Sequence, residues 1–232
     1  VLVYGHRGAR GVRPENTLEA FEYALAVGAD GIEMDVAVTR DAVPVISHDP
    51  WLPDGTAIRR LSWRELRGRA PSVPSLAEVL AIGGAFRFLI EVKSFAERPD
   101  LAAPPDEFAA MVLREIDARG VRRRSIVQSF DFEILHAMHR LAPEIPRGAL
   151  FESAGDFVTI ARDANAEIAV PEFHLVTEPA VQSARTHGLQ VYTWTPNTQR
   201  DWSALRERGV DAVITDDPAG LVRYLASCQE GS

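Results

Sequence analysis

Cysteine is almost missing from this chain: Cys228 is the only one among 232 residues. That excludes an internal disulfide and any metal centre built from several thiolates. A reducing compartment suits such usage, so a cytoplasmic location is the expectation, although a start at Val1 is equally compatible with a leader already removed. Apolar runs of membrane-spanning length are also lacking, so no membrane span is expected. No Pro-, Gly- or Ser-rich stretch divides the chain, and residues 1–232 read as one domain. Basic charge is in deficit, with 25 Lys and Arg against 33 Asp and Glu and a net charge of −8. A nucleic-acid partner is therefore excluded, because such binding needs basic surface to neutralise phosphates. A small anionic ligand is still compatible, since a focused site can be positive on an acidic protein. A monomer or homodimer acting on a small molecule is expected.

What is present is a repeating alternation. Short apolar runs at Val1–Tyr4, Gly31–Val38, Phe86–Val92, Ser125–Ser129, Gly148–Phe151, Glu167–Val170, Gln190–Trp194 and Ala212–Thr215 predict eight strands. Helices are predicted after them at Thr17–Val27, Ser75–Ile82, Pro105–Arg119, Phe132–Leu141, Phe157–Asn165, Pro179–Thr186, Arg200–Glu207 and Ala219–Ala226. Asn16, with Glu19 three residues later, predicts a capping box. Strand cores as apolar as FRFLIEV and DAVIT need cover on both faces, which a parallel sheet wrapped by helices supplies. Eight such units account for the whole chain and predict an α/β TIM (β/α)8 barrel, in preference to an open doubly wound sheet. The spacing has one long gap, between the second and third units. It contains a predicted extra strand, Val45–Ser47, that delivers His48 to the face where such barrels build their sites.

Charged residues interrupt two of the apolar runs. In GIEMDVAV the period of two puts Glu33 and Asp35 on one face, with α-carbons about 6.5 Å apart. Inside a parallel barrel neither face is simply solvated, so two inward carboxylates need a cation or protonation. FLIEVK adds Glu91 and Lys93, again on a shared face. Three hard oxygen donors without a thiolate suit one divalent cation, Mg²⁺ or Ca²⁺ with Mn²⁺ as an alternative, better than Zn²⁺. The three carboxylates against Arg7 and Lys93 leave one net negative charge, so an anionic substrate would require that cation.

His6 and His48 each close a strand beside these groups, and a pair of imidazoles can exchange protons on two sides of one phosphorus. His136, His139 and His187 read as helix-surface residues and His174 is ambiguous. Trp194 reads as core packing or as an apolar wall for a ligand. Gln128 and Ser129 close the fourth strand and are candidates for hydrogen bonding in the cavity. Asp216 and Asp217 are most simply caps of the last helix, and Glu15 and Asn16 caps of the first.

The segments GHRGARGVRPENTLEAF, GADGIEMDVAVTRDAVPVISHDP, VPSLAEVL, LIEVK, VQSF, GLQVYTWTPNT and GVDAVITDDP, in that order, resemble the glycerophosphodiester phosphodiesterase family over nearly the whole chain. The resemblance implies a TIM barrel that uses a divalent cation to cleave glycerophosphodiesters to glycerol 3-phosphate and an alcohol. It implies His6 and His48 as the catalytic pair, Glu33, Asp35 and Glu91 as metal ligands, and Arg7 and Lys93 as phosphate contacts; Trp194 matches the family's WT-x-N position. Other readings keep the same residues. One is lysophospholipase D or sphingomyelinase D-like cleavage of lipid phosphodiesters, another a lyase or aldolase with Lys93 as Schiff base, and the last a noncatalytic barrel. KSFAERPDLAAPPDEF is expected as a rim loop or lid on the alcohol side.

Overall fold

The computed structural model describes every residue except 96, 97, 99, 231 and 232. Eight parallel strands close into a barrel: β1 (Leu2–Gly5), β2 (Gly31–Val38), β4 (Arg87–Val92), β5 (Ser125–Ser129), β6 (Arg147–Phe151), β7 (Ile168–Pro171), β8 (Gln190–Trp194) and β9 (Ala212–Thr215). The ring closes where β1 pairs with β9 on one side and with β2 on the other. A further strand, β3 (Pro44–Ile46), runs antiparallel along the end of β2, with Val36 opposite Ile46. This is the extra strand expected in the long gap, and it is followed by the loop that carries His48. The predicted strands match the observed ones to within a residue at most ends.

Helices α1 (Leu18–Ala26), α3 (Leu76–Leu80), α4 (Pro105–Ala118), α5 (Phe132–Leu141), α6 (Phe157–Asp163), α7 (Glu178–Thr186), α8 (Gln199–Arg208) and α9 (Pro218–Glu230) surround the ring. One helix was not foreseen. α2 (Trp63–Arg69) lies in the long gap and starts at a capping box in which Ser62 and Glu65 satisfy each other's backbone. Its short stretch WRELRGR carries a single fully buried side chain, Leu66, so it has almost no apolar period to read. The rim segment after Glu91 falls partly outside the described residues.

The strand period sorts the side chains into two layers. Ile32, Met34, Val36 and Val38 join Phe88, Ile90 and Val92 in the apolar shell between sheet and helices. Tyr4, Leu89, Ile126, Leu150, Ile168, Val170, Tyr192 and Ile214 form a second apolar cluster inside the ring. Each such side chain contributes roughly 1.5–3 kcal/mol by leaving water, before conformational entropy is subtracted. Gly31 is required there, because a β-carbon would sit 2.4 Å from the Tyr4 ring. With this cluster filling the ring, Glu33 and Asp35 of β2 stand level with the C-terminal ends of β1 and β4, Gly5 lying opposite Ile32 and Glu91 opposite Asp35, on the side where barrel sites form.

Candidate active site

Strand register brings the acidic residues together. Asp35 on β2 pairs in register with Glu91 on β4, and Glu33 lies two residues earlier on the same face. Each of the three offers a carboxylate oxygen, and these atoms lie within 4.8 Å of one another. All three residues are buried. Burial first, then the charges of Asp35 and Glu91, hold the Glu33 carboxyl well above its ordinary range. Burial and Asp35 push Glu91 up to about 7 against the opposing pull of Lys93. Asp35 moves the other way: burial opposes ionisation, but Lys93 and Arg7 outweigh it and lower its pKa. Such a cluster has a shortage of positive charge at its centre. Three buried hard-oxygen donors converging on one point fit a divalent cation, which would relieve the mutual repulsion that raises Glu33 and Glu91.

Two cations flank the cluster without neutralising it. Lys93 Nζ lies 2.9 Å from Glu91 Oε1 and 3.2 Å from Asp35 Oδ1. Burial disfavours its ammonium, yet those two carboxylates prevail and raise its pKa. A lysine held protonated in this way is a poor Schiff-base nucleophile. Arg7 likewise meets two carboxylates: Nη1 donates to Glu15 Oε1 at 2.9 Å, and Nε sits 3.2 Å from Asp35 Oδ2.

The loop after β1 makes that engagement possible. Gly5 and Gly8 pack so closely that a β-carbon on Gly5 would sit 1.9 Å from the Gly8 carbonyl oxygen, and Gly8 has φ +86°. The tight turn puts Arg7 at φ 48° and lets its backbone N–H donate to Glu33 Oε2 at 2.9 Å. Asn16, further along the same loop, was expected to cap α1. The cap is in fact Thr17, whose hydroxyl accepts from the Ala20 N–H. Asn16 instead turns inward with φ 58°, and its Nδ2 donates to Asp35 Oδ2 at 2.8 Å. A side chain one residue away serves the cap equally well, which leaves Asn16 free to orient a carboxylate.

Both candidate imidazoles line one cavity of about 170 Å³, together with Arg7, Glu33, Glu91, Lys93, Gln128 and Trp194. Each is anchored at Nδ1 by an aspartate, His6 by Asp216 at 2.6 Å and His48 by Asp49 at 2.8 Å. Asp216 is held below its ordinary pKa because its hydrogen bond and charge interaction with His6 outweigh burial. As a carboxylate it only accepts, so His6 Nδ1 is the donor and Nε2 is left for the cavity. The His48 pKa is lowered, by burial first and by Lys93 and Arg7 next, against the pull of Asp35 and Asp49. His48 therefore tends to the neutral base.

Asp216 was expected as a helix cap, and its neighbour does that work: Asp217 Oδ1 accepts from Gly220 N–H at 2.8 Å. Asp216 itself is held from behind by Asn197, whose Nδ2 donates to Asp216 Oδ2 and whose Oδ1 accepts from the Asp216 N–H. Gln128 reaches the cavity, but Ser129 faces away, donating to the Val92 carbonyl. His174 stacks on Phe173 outside the cavity. Phe130 and Arg10 line the cavity and carry no signal in the sequence. Phe130 stands edge-on to Trp194 at 5.5 Å, and together they form an apolar wall. Arg10 pairs with Glu15 at the mouth.

The arrangement is that of a TIM barrel of the metal-dependent phosphodiesterase kind, with hard-oxygen ligands, cations and two imidazoles around one polar cavity. Residues 6–220 match the model of the glycerophosphoryl diester phosphodiesterase family, and the chain belongs to that family. It is 28% identical to a glycerophosphodiester phosphodiesterase of Caldanaerobacter subterraneus subsp. tengcongensis, over 97% of each chain. The crystal structure of a glycerophosphodiester phosphodiesterase from Thermotoga maritima superposes with a TM-score of 0.80 at 28% identity, covering 96% of this chain and 97% of that one. An Oleispira antarctica phosphodiesterase, solved with its product sn-glycerol-3-phosphate, shares the fold with a TM-score of 0.86 at 23% identity, over 97% of each chain.

Proposed function

We propose that this protein hydrolyses glycerophosphodiesters to glycerol 3-phosphate and an alcohol, with His6 and His48 as the catalytic pair. The observation that carries the reading is the shared cavity: two imidazoles, each anchored at Nδ1 by a carboxylate, beside three converging acidic side chains. Glu33, Asp35 and Glu91 would hold one divalent cation, Mg²⁺ or Ca²⁺ by donor chemistry. Such a cation supplies positive charge and Lewis-acid polarisation to a phosphoryl oxygen.

The chain's own residues account for the proton movements. His48, tending to neutral, takes a proton from the attacking hydroxyl, which belongs to water or to the glycerol 2-position. His6 gives a proton from Nε2 to the departing alcohol oxygen as its bond to phosphorus breaks. With water as the final acceptor, one P–O bond forms for the one lost. Lys93 and Arg7 hold the phosphate in place, and Arg10 adds charge at the mouth. Trp194 and Phe130 supply a wall for the glycerol carbons. A lipid substrate has less support, since Trp51 and Phe130 are the exposed large apolar side chains at the cavity or the groove beside it among the described residues.

The test is release of glycerol 3-phosphate from a panel of glycerophosphodiesters with Mg²⁺, Ca²⁺, Mn²⁺ or EDTA. Turnover with metal that vanishes with chelator is expected. Faster cleavage of micellar lysophospholipid than of any glycerophosphodiester would overturn the reading.

A further inference from the structure

One buried acceptor in the catalytic cavity is left without a donor. Gln128 is 1% exposed near the end of β5, level with Glu91 on one neighbouring strand and with Gly148 on the other. Its Nε2 lies 3.5 Å from Glu33 Oε1. Among the described residues no donor reaches Gln128 Oε1. The orientation of the amide follows from its neighbour. A carboxylate that holds a cation only accepts, so Nε2 faces Glu33 and the carbonyl oxygen turns away from it. Gly148 clears room for the side chain, since a β-carbon there would sit 3.2 Å from Gln128 Cβ and 2.9 Å from Val170 Cγ2.

A buried polar group without a partner is costly, so an orphaned acceptor on a cavity wall marks a place for a ligand's donor. The cavity's charged groups are committed elsewhere. His6, Arg7 and Lys93 are donors suited to phosphate oxygens. Glu33 takes the Arg7 N–H and Glu91 takes Lys93, and both face the cation position. On the glycerol side of a glycerophosphodiester the hydrogen-bond donors are the two hydroxyls alone. His48 can accept only from a hydroxyl that attacks phosphorus, which leaves Gln128 Oε1 as the buried acceptor for one that does not. Phe130, Leu150 and Trp194 line the same cavity and offer apolar surface to the carbons that carry it.

We propose that Gln128 is a specificity residue whose carbonyl oxygen accepts a hydrogen bond from a glycerol hydroxyl, selecting a polyol phosphate over an alkyl phosphate of the same chain length. The assignment rests on reading the cavity as a glycerophosphodiesterase site. A site built to hydrogen-bond a hydroxyl discriminates against the analogue that lacks it, because its buried acceptor is then left unpaired.

The experiment is titration calorimetry of the metal-loaded protein with four phosphate monoesters: glycerol 3-phosphate, the phosphates of propane-1,2-diol and propane-1,3-diol, and propyl phosphate. Binding is read directly, so the result does not depend on which hydroxyl attacks. Glycerol 3-phosphate should bind about tenfold more tightly than propyl phosphate, and the propanediol phosphate that shares the loss identifies the hydroxyl. Gln128→Met keeps the length of the side chain and removes the acceptor, while Gln128→Asn keeps the amide and draws it back by one methylene. Either should cut the advantage to about twofold. Any disturbance of the metal site acts on all four ligands and drops out of the ratio. Equal affinities in the unmodified protein would overturn the assignment, as would a full advantage kept by whichever of the two variants folds. Failure of the unmodified protein to cleave every glycerophosphodiester offered marks instead the failure of the underlying reading, and the role of Gln128 would fall with it.

Discussion

His6 Nδ1 lies 2.6 Å from Asp216 Oδ1, a contact that ties the end of the first barrel strand to the residue just after the last. Those strands are neighbours only because the barrel closes, β1 against β9. Asp216 thus reaches a residue 210 positions away and fixes both the orientation of the ring and which nitrogen carries the proton.

Asp216→Ala should therefore lower kcat by on the order of a hundredfold with little change in KM. The sharper reading is a double-mutant cycle. If Asp216 acts through His6, the pair His6→Ala with Asp216→Ala should be no slower than His6→Ala alone. Additive losses would show that Asp216 acts elsewhere.

Asn16→Ala removes the amide that donates to Asp35 Oδ2. Groups that orient a metal ligand typically matter 10- to 100-fold in affinity, so the Mg²⁺ concentration needed for half-maximal activity should rise by about that factor. Titration calorimetry with metal alone checks it without turnover. Unaltered affinity would leave Asn16 with only a backbone role.

The acidic cluster predicts a pH signature in the metal-free protein. Glu91 is raised from 4.5 to about 7 in the fold, so the folded state holds its proton more tightly than the unfolded chain does. The resulting stabilisation is complete below about pH 4.5 and is lost as pH rises through about 7. Thermal unfolding with EDTA should show Tm falling across that interval, and Glu91→Gln should flatten the fall. Mg²⁺ should restore Tm most strongly at the high-pH end, where the ligands are ionised. A fall as steep in Glu91→Gln as in the unmodified protein would remove Glu91 as its source.

Lys93 offers a direct discrimination between chemistries. Its ammonium is held charged by Glu91 and Asp35, so borohydride should trap no adduct with carbonyl compounds. Lys93→Met should reduce turnover of glycerophosphodiesters at least tenfold, measured as glycerol 3-phosphate release. A trapped adduct at Lys93 would return the lyase reading.

Much of this molecule was determined by the sequence alone, because periodicity is local. The eight apolar runs and the period of two within GIEMDVAV and FLIEVK required a covered parallel sheet with Glu33, Asp35, Glu91 and Lys93 facing its interior. The histidines at strand ends followed from the same reading, since every β–α turn of such a barrel opens on one face. What tertiary structure alone decided were the partners. Asn16 and Asp216 looked like helix caps because a short polar side chain before a helix usually is one. In each case the next residue, Thr17 or Asp217, took the cap and freed its neighbour for the site. Phe130, which stands beside Trp194 in the cavity wall, gave no warning either, because an aromatic residue's role depends on which side chains and solvent surround it. Contacts across a closed ring depend on closure and register, and neither is encoded within any one stretch of chain.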